Sequence, residues 1–216
     1  MKKIYIIGAG GLGREAVWLV ERINSRKKEP EWEIQGFLDD DPAKHGCLEG
    51  RYPVVGGLQL LGGCSEEIWA VCAIGAAAVR ERVVQRAMAY DHVRFATLVD
   101  PDAVVSGSVQ LGEGSIVCAG AVLTVDIVAG RHVIFDINCT VGHDTALHDF
   151  VMIYPGANIS GCVTLEQGVE MGTGAQVIQG KRIGRGTIVG AGAVVVRDLP
   201  GGCTAVGVPA KPLAQK

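Results

Sequence analysis

The sequence lacks the features that mark several large classes of protein. It has 20 Lys and Arg against 23 Asp and Glu, with a formal net charge of -3 and no dense basic patch, so no nucleic-acid surface is indicated. Its longest nearly apolar run, residues 68–79, is too short to cross a bilayer. The seven cysteines are odd in number and contain no C-x-x-C pair, which argues against a disulfide framework or a zinc ribbon. We therefore expect a cytoplasmic protein without nucleic-acid or membrane partners.

The N-terminal stretch combines a short strand pattern with a glycine-rich turn. Lys2 and Lys3 precede apolar residues, as in a signal peptide, but no plausible cleavage site follows, so we interpret residues 3–7 as a strand. Residues 8–13, GAGGLG, then lead into a helical pattern that continues to Ile23. A strand, a glycine-rich turn and a helix N-terminus in this order can bind phosphate through backbone N–H groups. This stretch therefore predicts a phosphate site.

Two more strand patterns follow at residues 33–38 and 68–74, and a helix is predicted over 79–89. The first of these strands ends in Asp39-Asp40-Asp41, where a carboxylate can accept hydrogen bonds from a ribose or a base. We interpret Asp41, which precedes Pro42, as a turn residue. Three or four strands in roughly ninety residues make half of a dinucleotide-binding domain. A mononucleotide or nucleotide sugar is therefore favoured over NAD.

An apolar residue recurs at every sixth position from Val99 to Val195, and no step meets a polar residue. This period matches neither a helix nor a single strand, so it indicates a repeating supersecondary unit. The interpretation is a parallel β-helix, in which short strands joined by tight turns stack coil on coil. An ordinary sandwich with glycine-rich turns is the alternative, but it would not hold one register over the whole stretch.

The order of the motifs resembles the sugar O-/N-acyltransferase family, whose hexapeptide repeat forms a left-handed β-helix. The resemblance rests on the glycine-rich turn, the acidic pair, the hexads and four short motifs: Ala73-Ile74-Gly75, Gly142-His143-Asp144, Pro155-Gly156-Ala157 and Gly207-Val208-Pro209-Ala210-Lys211. It implies an α/β Rossmann-like half domain that binds a nucleotide sugar over 1–95 and an all-β left-handed parallel β-helix over 96–200. A C-terminal cap or tail is expected over 201–216.

The family implies an acetyltransferase that uses acetyl-CoA and no metal to acetylate the amino group of a nucleotide-linked amino-deoxysugar. The resemblance makes His143 the general base and Asp144 the acidic residue that raises its basicity. The substrate residues implied by family position are Gly10, Gly11, Leu12, Asp39, Asp40, Gly75 and Asp136. The acetyl-CoA residues so implied are Met152, Gly161, Thr173, Ala191 and Lys211. The residues alone support the base, because His is the side chain that exchanges a proton near neutral pH.

In that fold three hexads close one coil, so neighbours in the stack lie eighteen residues apart. Gly161 should therefore lie next to His143, leave open space for the thioester and offer its N–H to the developing oxyanion. The family also implies a homotrimer with acetyl-CoA between neighbouring β-helices. Outward apolar residues such as Val104, Ile116 and Val122 support association, because a monomer would expose them.

Three other functions stay open at this point. An O-acetyltransferase acting on a sugar hydroxyl, as in sialic acid, would use the same site. A metalloenzyme like the gamma-class carbonic anhydrases would need His143, His148 and His132 to converge on one ion, but the three occupy different positions within their hexads. A non-catalytic nucleotide-sugar-binding trimer would not need the His143–Asp144 pair.

Overall fold

A computed structural model of the chain describes residues 1–64 and 66–214. The chain forms two compact units, one made of residues 1–75 and 79–101 and the other of 76–78 and the described residues from 102 onward. None of the helices in these described ranges is long and apolar enough to span a bilayer. The domain limits at 95 and 200 stay predictions, and residues 215 and 216 of the predicted tail lie outside the described ranges.

The first unit is a mainly parallel sheet with helical connections. Its elements in chain order are β1 (Lys2–Ile7), α1 (Gly11–Ser25), β2 (Trp32–Leu38), β3 (Leu48–Glu49), β4 (Tyr52–Gly56), β5 (Ile68–Cys72), α2 (Ala77–Ala87), β6 (Val93–Phe95) and β7 (Leu98–Val99), with 3-10 turns at Pro42–Lys44 and Leu58–Gly63. The sheet order is β3-β4-β2-β1-β5-β6, and all pairs are parallel except the β3–β4 hairpin. The predicted strand–turn–helix start and the strands at 33–38 and 68–74 are present within two residues of their predicted ends.

Helix α1 packs through one apolar stripe, since Ala16, Leu19 and Val20 are at most 2% exposed and follow the spacing of one helix face. Burial of each large apolar side chain contributes about 1.5–3 kcal/mol. At its last turn, Arg22 donates two hydrogen bonds to Asp100, at 2.7 and 2.9 Å, and the Asp100 side chain is only 1% exposed. This bidentate contact holds the last turn of α1 against the C-terminal end of the first unit.

Two parts of the first unit differ from the sequence prediction. The β3–β4 hairpin adds an edge to the sheet, because β4 pairs with β2. The segment 91–97, for which the sequence analysis predicts no strand, contains β6, which pairs with β5 through Ile68, Trp69 and Ala70. The sheet therefore has six strands instead of the three or four expected.

The second unit consists of two-residue strands at a six-residue spacing. They are β8 (Val104–Val105), β9 (Gln110–Leu111), β10 (Ile116–Val117), β11 (Val122–Leu123), β12 (Val128–Ala129), β13 (Ile134–Phe135), β14 (Thr140–Val141), β15 (Ala146–Leu147), β16 (Met152–Ile153), β17 (Asn158–Ile159), β18 (Thr164–Leu165), β19 (Glu170–Met171), β20 (Gln176–Val177), β21 (Arg182–Ile183), β22 (Ile188–Val189) and β23 (Val194–Val195), followed by β24 (Thr204–Val206) and β25 (Lys211–Pro212).

Every third strand pairs in parallel, as shown by Val122↔Thr140, Val128↔Ala146 and Ile134↔Met152. The partners are eighteen residues apart, which confirms the coil length implied by the resemblance. Three parallel sheets result, and the turns between them form three edges. The α/β unit followed by a parallel β-helix confirms the predicted fold class.

The predicted apolar column forms the core of the β-helix. From Val117 to Val195 every sixth residue is at most 5% exposed. Val105 and Leu111 are only half-buried, because their strands pair with one neighbouring coil instead of two. The neighbouring outward residues are less uniform than expected: Val104 is 62% exposed, whereas Ile116 is 1% exposed and Val122 is intermediate. The prediction that a monomer would expose Ile116 is therefore wrong.

From residue 114 to residue 192, each turn of the β-helix contains one residue with a left-handed backbone, and these residues are six positions apart. Glycine adopts this conformation without a steric cost, and eight of these positions are glycine. The other six are Asp126, His132, Asn138, Asp144, Phe150 and Cys162, with φ between 56° and 63°. Asp, Asn and His tolerate it better than most residues, which leaves Phe150 and Cys162 as the unusual members.

The C-terminal tail completes the stack. Strand β24 pairs in parallel with β22, and β25 folds back antiparallel onto β24. Gly207 has φ of +92°, and its carbonyl accepts a hydrogen bond from Val194 N–H at 3.0 Å. The last coil is thus covered by a hairpin, and its backbone groups are partly satisfied.

Candidate active site

A cleft of about 450 Å³ lies in the first unit at the carboxyl ends of β1, β2 and β5. Parallel α/β sheets bind ligands at this edge. Six of the seven predicted substrate residues line it, namely Gly10, Gly11, Leu12, Asp39, Asp40 and Gly75. The structure therefore brings together residues that are up to 65 positions apart in the sequence.

The glycines of the turn have different tasks. Gly8 has φ of +103°, which favours glycine. A Cβ on Gly13 would collide with the Gly8 carbonyl, so this glycine lets α1 pack closely on β1. A Cβ on Gly10 or Gly11 would meet no atom within 4 Å. Neither of these two glycines is needed for packing in this chain, and they lie at the N-terminus of α1, where Gly10 is the N-cap and the first N–H groups have no partner within the helix.

The two carboxylates of the cleft are already engaged by cations and backbone. Asp39 accepts hydrogen bonds from Ala9 N–H at 3.0 Å and from Lys44 Nζ at 2.8 Å. Burial raises the pKa of Asp39, but the hydrogen bonds from Lys44 and the backbone outweigh it and lower the pKa overall. The Arg86 hydrogen bond at 2.6 Å lowers the pKa of Asp40. Both side chains are therefore anionic acceptors at neutral pH.

Arg80 shapes the wall that contains Gly75. It is fully buried, and it donates hydrogen bonds to the carbonyls of Ile74 at 2.6 Å and Gly75 at 2.8 Å. Hydrogen bonds from a charged group contribute about 1.5–3 kcal/mol each. Sequence reasoning missed this residue, because a buried arginine in a helix looks the same in sequence as an exposed one.

The predicted catalytic pair lies in a turn of the β-helix. The carboxylate of Asp144 accepts a hydrogen bond from His143 Nδ1 at 2.7 Å. The side chains are 51% and 60% exposed, respectively. With Nδ1–H held by a carboxylate, Nε2 carries the lone pair that can accept a proton. The pair therefore has the hydrogen-bond arrangement of a general base with its orienting acid.

Gly161 lies next to His143, as the eighteen-residue rule predicted, but its role differs from the expected one. A Cβ at this position would come within 2.6 Å of His143 Nε2 and 2.7 Å of Cε1. The space beside Gly161 is thus occupied by the imidazole ring, and the expectation of an open space for the thioester is wrong. Among the described residues the Gly161 N–H has no acceptor, so the oxyanion prediction stays open.

The other predicted acetyl-CoA residues do not surround His143 in the single chain. Thr173 and Ala191 are exposed and lie in stacked turns, where Thr173 accepts a hydrogen bond from the neighbouring Gly192. These turns follow β19 and β22, whereas His143 follows β14, so the two groups occupy different edges. Lys211 is exposed in β25, and Met152 is only 1% exposed. A ligand contact by Met152 would require its side chain to move.

Asp136, the remaining predicted substrate residue, lies in the second unit and outside the cleft. It is 5% exposed at the end of β13 and accepts a hydrogen bond from Ile137 N–H at 2.7 Å. Burial raises its pKa, because removal from water disfavours the charged form. Its proposed contact with the substrate stays a prediction.

The three histidines of the metalloenzyme alternative do not form one site. His132 is buried and stacked on the Phe150 ring, with 5.3 Å between centroids. His148 is exposed and, together with Gln167, lines a separate depression. Within the described ranges, no group of potential metal ligands contains His132 or His148 together with His143. This geometry gives the three-histidine metal site no support.

Similarity to known proteins decides the family. Residues 3–87 match the PglD N-terminal domain. Over nearly its whole length the chain is similar to the acetyltransferase domain of PglB from Neisseria gonorrhoeae FA1090 in complex with acetyl coenzyme A. The two share 35% sequence identity with a TM-score of 0.88, over 98% of this chain and 99% of that one. The chain belongs to the left-handed β-helix family of sugar N-acetyltransferases.

Other members of this sugar N-acetyltransferase family are similar over the full chain. A single-residue mutant of perosamine N-acetyltransferase from Caulobacter crescentus, in complex with CoA and GDP-perosamine, is 33% identical with a TM-score of 0.86, over 100% of this chain and 98% of that one. GDP-perosamine N-acetyltransferase of Escherichia coli O157:H7 is 29% identical over 95% of this chain and 94% of its own. By contrast, galactoside O-acetyltransferase of Lactococcus lactis is 38% identical over 86 residues, and the chain spans only 41% of its length.

Proposed function

We propose that this acyltransferase moves the acetyl group of acetyl-CoA to the amino group of a nucleotide-linked amino-deoxysugar, with His143 as the general base. The observation that carries the proposal is the His143–Asp144 hydrogen bond at 2.7 Å on an exposed turn of a β-helix. Relatives that are similar over nearly the whole of this chain supply the substrate classes, because one was solved with acetyl coenzyme A and another with CoA and GDP-perosamine.

The chemistry needs one proton to move twice. The amine nitrogen attacks the thioester carbonyl, and His143 Nε2 takes the amine proton as the new C–N bond forms. Asp144 stabilises the imidazolium that results. The tetrahedral intermediate then collapses with loss of the CoA thiolate, which receives the proton from His143. The products are the amide and CoA thiol, and the base returns to its neutral form.

The cleft of the first unit is proposed to hold the nucleotide sugar. Open space beside Gly10 and Gly11 and the N-terminus of α1 suit a pyrophosphate. Asp39 and Asp40 remain anionic acceptors for N–H and O–H groups of a base or ribose, and Lys44, which is paired with Asp39, adds a cation to the lining of the cleft. The cleft volume of about 450 Å³ lies within the range of small-ligand pockets.

We also propose a homotrimer located in the cytoplasm. Val104, Val128 and Ile188 are 62%, 51% and 43% exposed on the β-helix, and cyclic association would bury them. A trimer would also complete the acetyl-CoA site, because His143 and the Thr173–Ala191 turns occupy different edges of one chain. Seven cysteines without a disulfide are typical of a reducing compartment.

The test is a thiol-release assay with acetyl-CoA and a panel of UDP-, GDP- and dTDP-linked aminosugars, with free sialic acid included. The partial similarity to galactoside O-acetyltransferase makes a hydroxyl acceptor the second candidate, and sialic acid in the panel tests it. The His143→Ala variant should lower kcat by about 10²- to 10⁴-fold with smaller changes in either KM. Full turnover by this variant at neutral pH would remove His143 from the mechanism. Sedimentation at micromolar concentration tests the trimer.

A further inference from the structure

Cys162 joins the candidate catalytic pair in space. The described residues contain one group of three His, Cys, Asp or Glu side chains whose donor atoms all lie within 4.8 Å of one another, and it consists of His143, Asp144 and Cys162. All three side chains are exposed. No part of the acetyl transfer described above uses the thiol.

The coil register brings these residues together. Asp144 and Cys162 are eighteen residues apart and occupy equivalent turn positions in adjacent coils, with φ of 56° and 57°. Cys162 N–H donates a hydrogen bond to the His143 carbonyl at 2.7 Å, which holds the two turns in contact. The backbones that carry the three donors are therefore fixed relative to one another, and only short side chains need to adjust.

The donor set suits zinc. Thiolate, imidazole and carboxylate are the three ligand types that zinc binds, at about 2.3, 2.0–2.1 and 2.0–2.2 Å, which places tetrahedral ligands about 3.3–3.8 Å apart. The donor atoms of this group are within 4.8 Å, so rotations of exposed side chains by about 1 Å would close the site. Three protein ligands leave a fourth position for water.

We propose that a thiophilic divalent cation of the zinc class binds His143, Asp144 and Cys162 and inhibits the enzyme. The ion would be an inhibitor and not a cofactor, since a neutral imidazole that binds a metal through either nitrogen has no lone pair left to accept the amine proton. The inhibition rests on the proposed base role of His143, whereas the binding site rests only on the geometry of the three donors.

The experiment uses the full-length protein without an affinity tag, reduced by a reagent that does not bind metal. Zn²⁺ is titrated against a chromophoric chelator, and Co²⁺ is used as a spectroscopic probe because a thiolate ligand gives a charge-transfer band. The test variant is Cys162→Ser. Cys47→Ser is the matched control, because Cys47 is also exposed but lies in the first unit.

We expect one Zn²⁺ per chain and a cobalt–thiolate band in the wild type and in Cys47→Ser. Cys162→Ser should lose the band and bind Zn²⁺ at least about 10²-fold more weakly, since loss of even an outer-shell partner costs 10–100-fold. Its turnover without metal should be close to that of the wild type, because no step of the proposed acetyl transfer uses the thiol, and it should resist inhibition by Zn²⁺. Equal zinc affinity in Cys162→Ser and wild type would overturn the proposal.

The two proposals can fail separately. If both Cys162→Ser and His143→Ala weaken Zn²⁺ binding and the ion leaves wild-type turnover unaffected, the metal site stands and the base role of His143 is wrong. If His143→Ala lowers turnover as expected but the wild type shows neither the band nor Cys162-dependent binding, the base role stands and the metal site is wrong.

Discussion

The position of the His143 ring can be tested by adding one methyl group. In Gly161→Ala the new Cβ would lie 2.6 Å from Nε2 and 2.9 Å from Cδ2, whereas ordinary van der Waals contact begins at 3.4 Å. The ring would have to move away by about 0.8 Å, which would lengthen or break the hydrogen bond from His143 Nδ1 to the Asp144 carboxylate, now 2.7 Å long. A misplacement of about 1 Å can cost about 10²-fold in rate, which is the loss of kcat that we expect.

Stability should change little in the same variant. Gly161 does not have a left-handed backbone, and the group that must move is an exposed ring. The gain from a less flexible unfolded chain, about 0.4–1 kcal/mol, offsets part of the strain. One kcal/mol shifts the Tm of a chain of this size by about 2–4 °C, so thermal unfolding is expected to change by only a few degrees.

Gly107→Ala is the matched control. Gly107 lies in the equivalent turn position three coils earlier, and a Cβ there would meet no atom within 4 Å. We expect its kcat, both KM values and Tm to equal those of the wild type. Full turnover by Gly161→Ala would refute the reasoning, because the imidazole would then act from a position other than the one described. Equal losses of kcat in Gly161→Ala and Gly107→Ala would show that activity depends on the backbone of these turns and not on the position of the His143 ring.

Three further predictions follow from other contacts. Asp144→Asn should lower kcat less than His143→Ala does, because the amide oxygen can still accept a hydrogen bond from the ring but cannot stabilise the charged imidazolium. Steady-state kinetics test this, and a larger loss of kcat in Asp144→Asn than in His143→Ala would contradict it. Gly11→Leu should raise the KM for the nucleotide sugar and leave that for acetyl-CoA unchanged, and a parallel rise of both would place the site elsewhere. Burial raises the pKa of Asp136 in the folded protein above its pKa in the unfolded chain. The stability that Asp136 contributes is therefore present at a pH below the unfolded pKa and is lost as the pH rises through the folded pKa. Asp136→Asn should therefore raise Tm at pH 7 and lose this advantage in acid, since the amide can still accept from Ile137; chemical or thermal unfolding across pH checks it.

Periodicity predicted the core of the β-helix well because one rule repeats in every coil. A residue at every sixth position faces the interior, and from Val117 onward each of these residues is almost completely buried. The outward positions follow no such rule. Ile116 and Val104 occupy equivalent places in their hexads, yet they are 1% and 62% exposed.

The active-site prediction succeeded in proximity and failed in detail for a related reason. Eighteen-residue stacking brought Gly161 next to His143, but it does not determine side-chain torsions, so the ring was not expected over the glycine. The same rule places Cys162 next to Asp144. Lys44 and Arg86 were missed because long side chains reach Asp39 and Asp40 across loops whose paths no sequence pattern specifies.

The left-handed residue at every sixth position limits how this protein can change in length. Inserting one residue would move every later left-handed position away from the glycines that tolerate it, which costs roughly 1–2 kcal/mol for each residue without a suitable side chain. Removing one hexad would keep the left-handed positions on their glycines but would shift each later turn to the next edge of the β-helix. Removing a whole coil keeps each left-handed position on its residue and each turn on its edge, and only shortens the stack by about one strand spacing, roughly 4.8 Å. Length variation among related chains is therefore expected in steps of eighteen residues, on either side of the coils that carry His143 and Gly161.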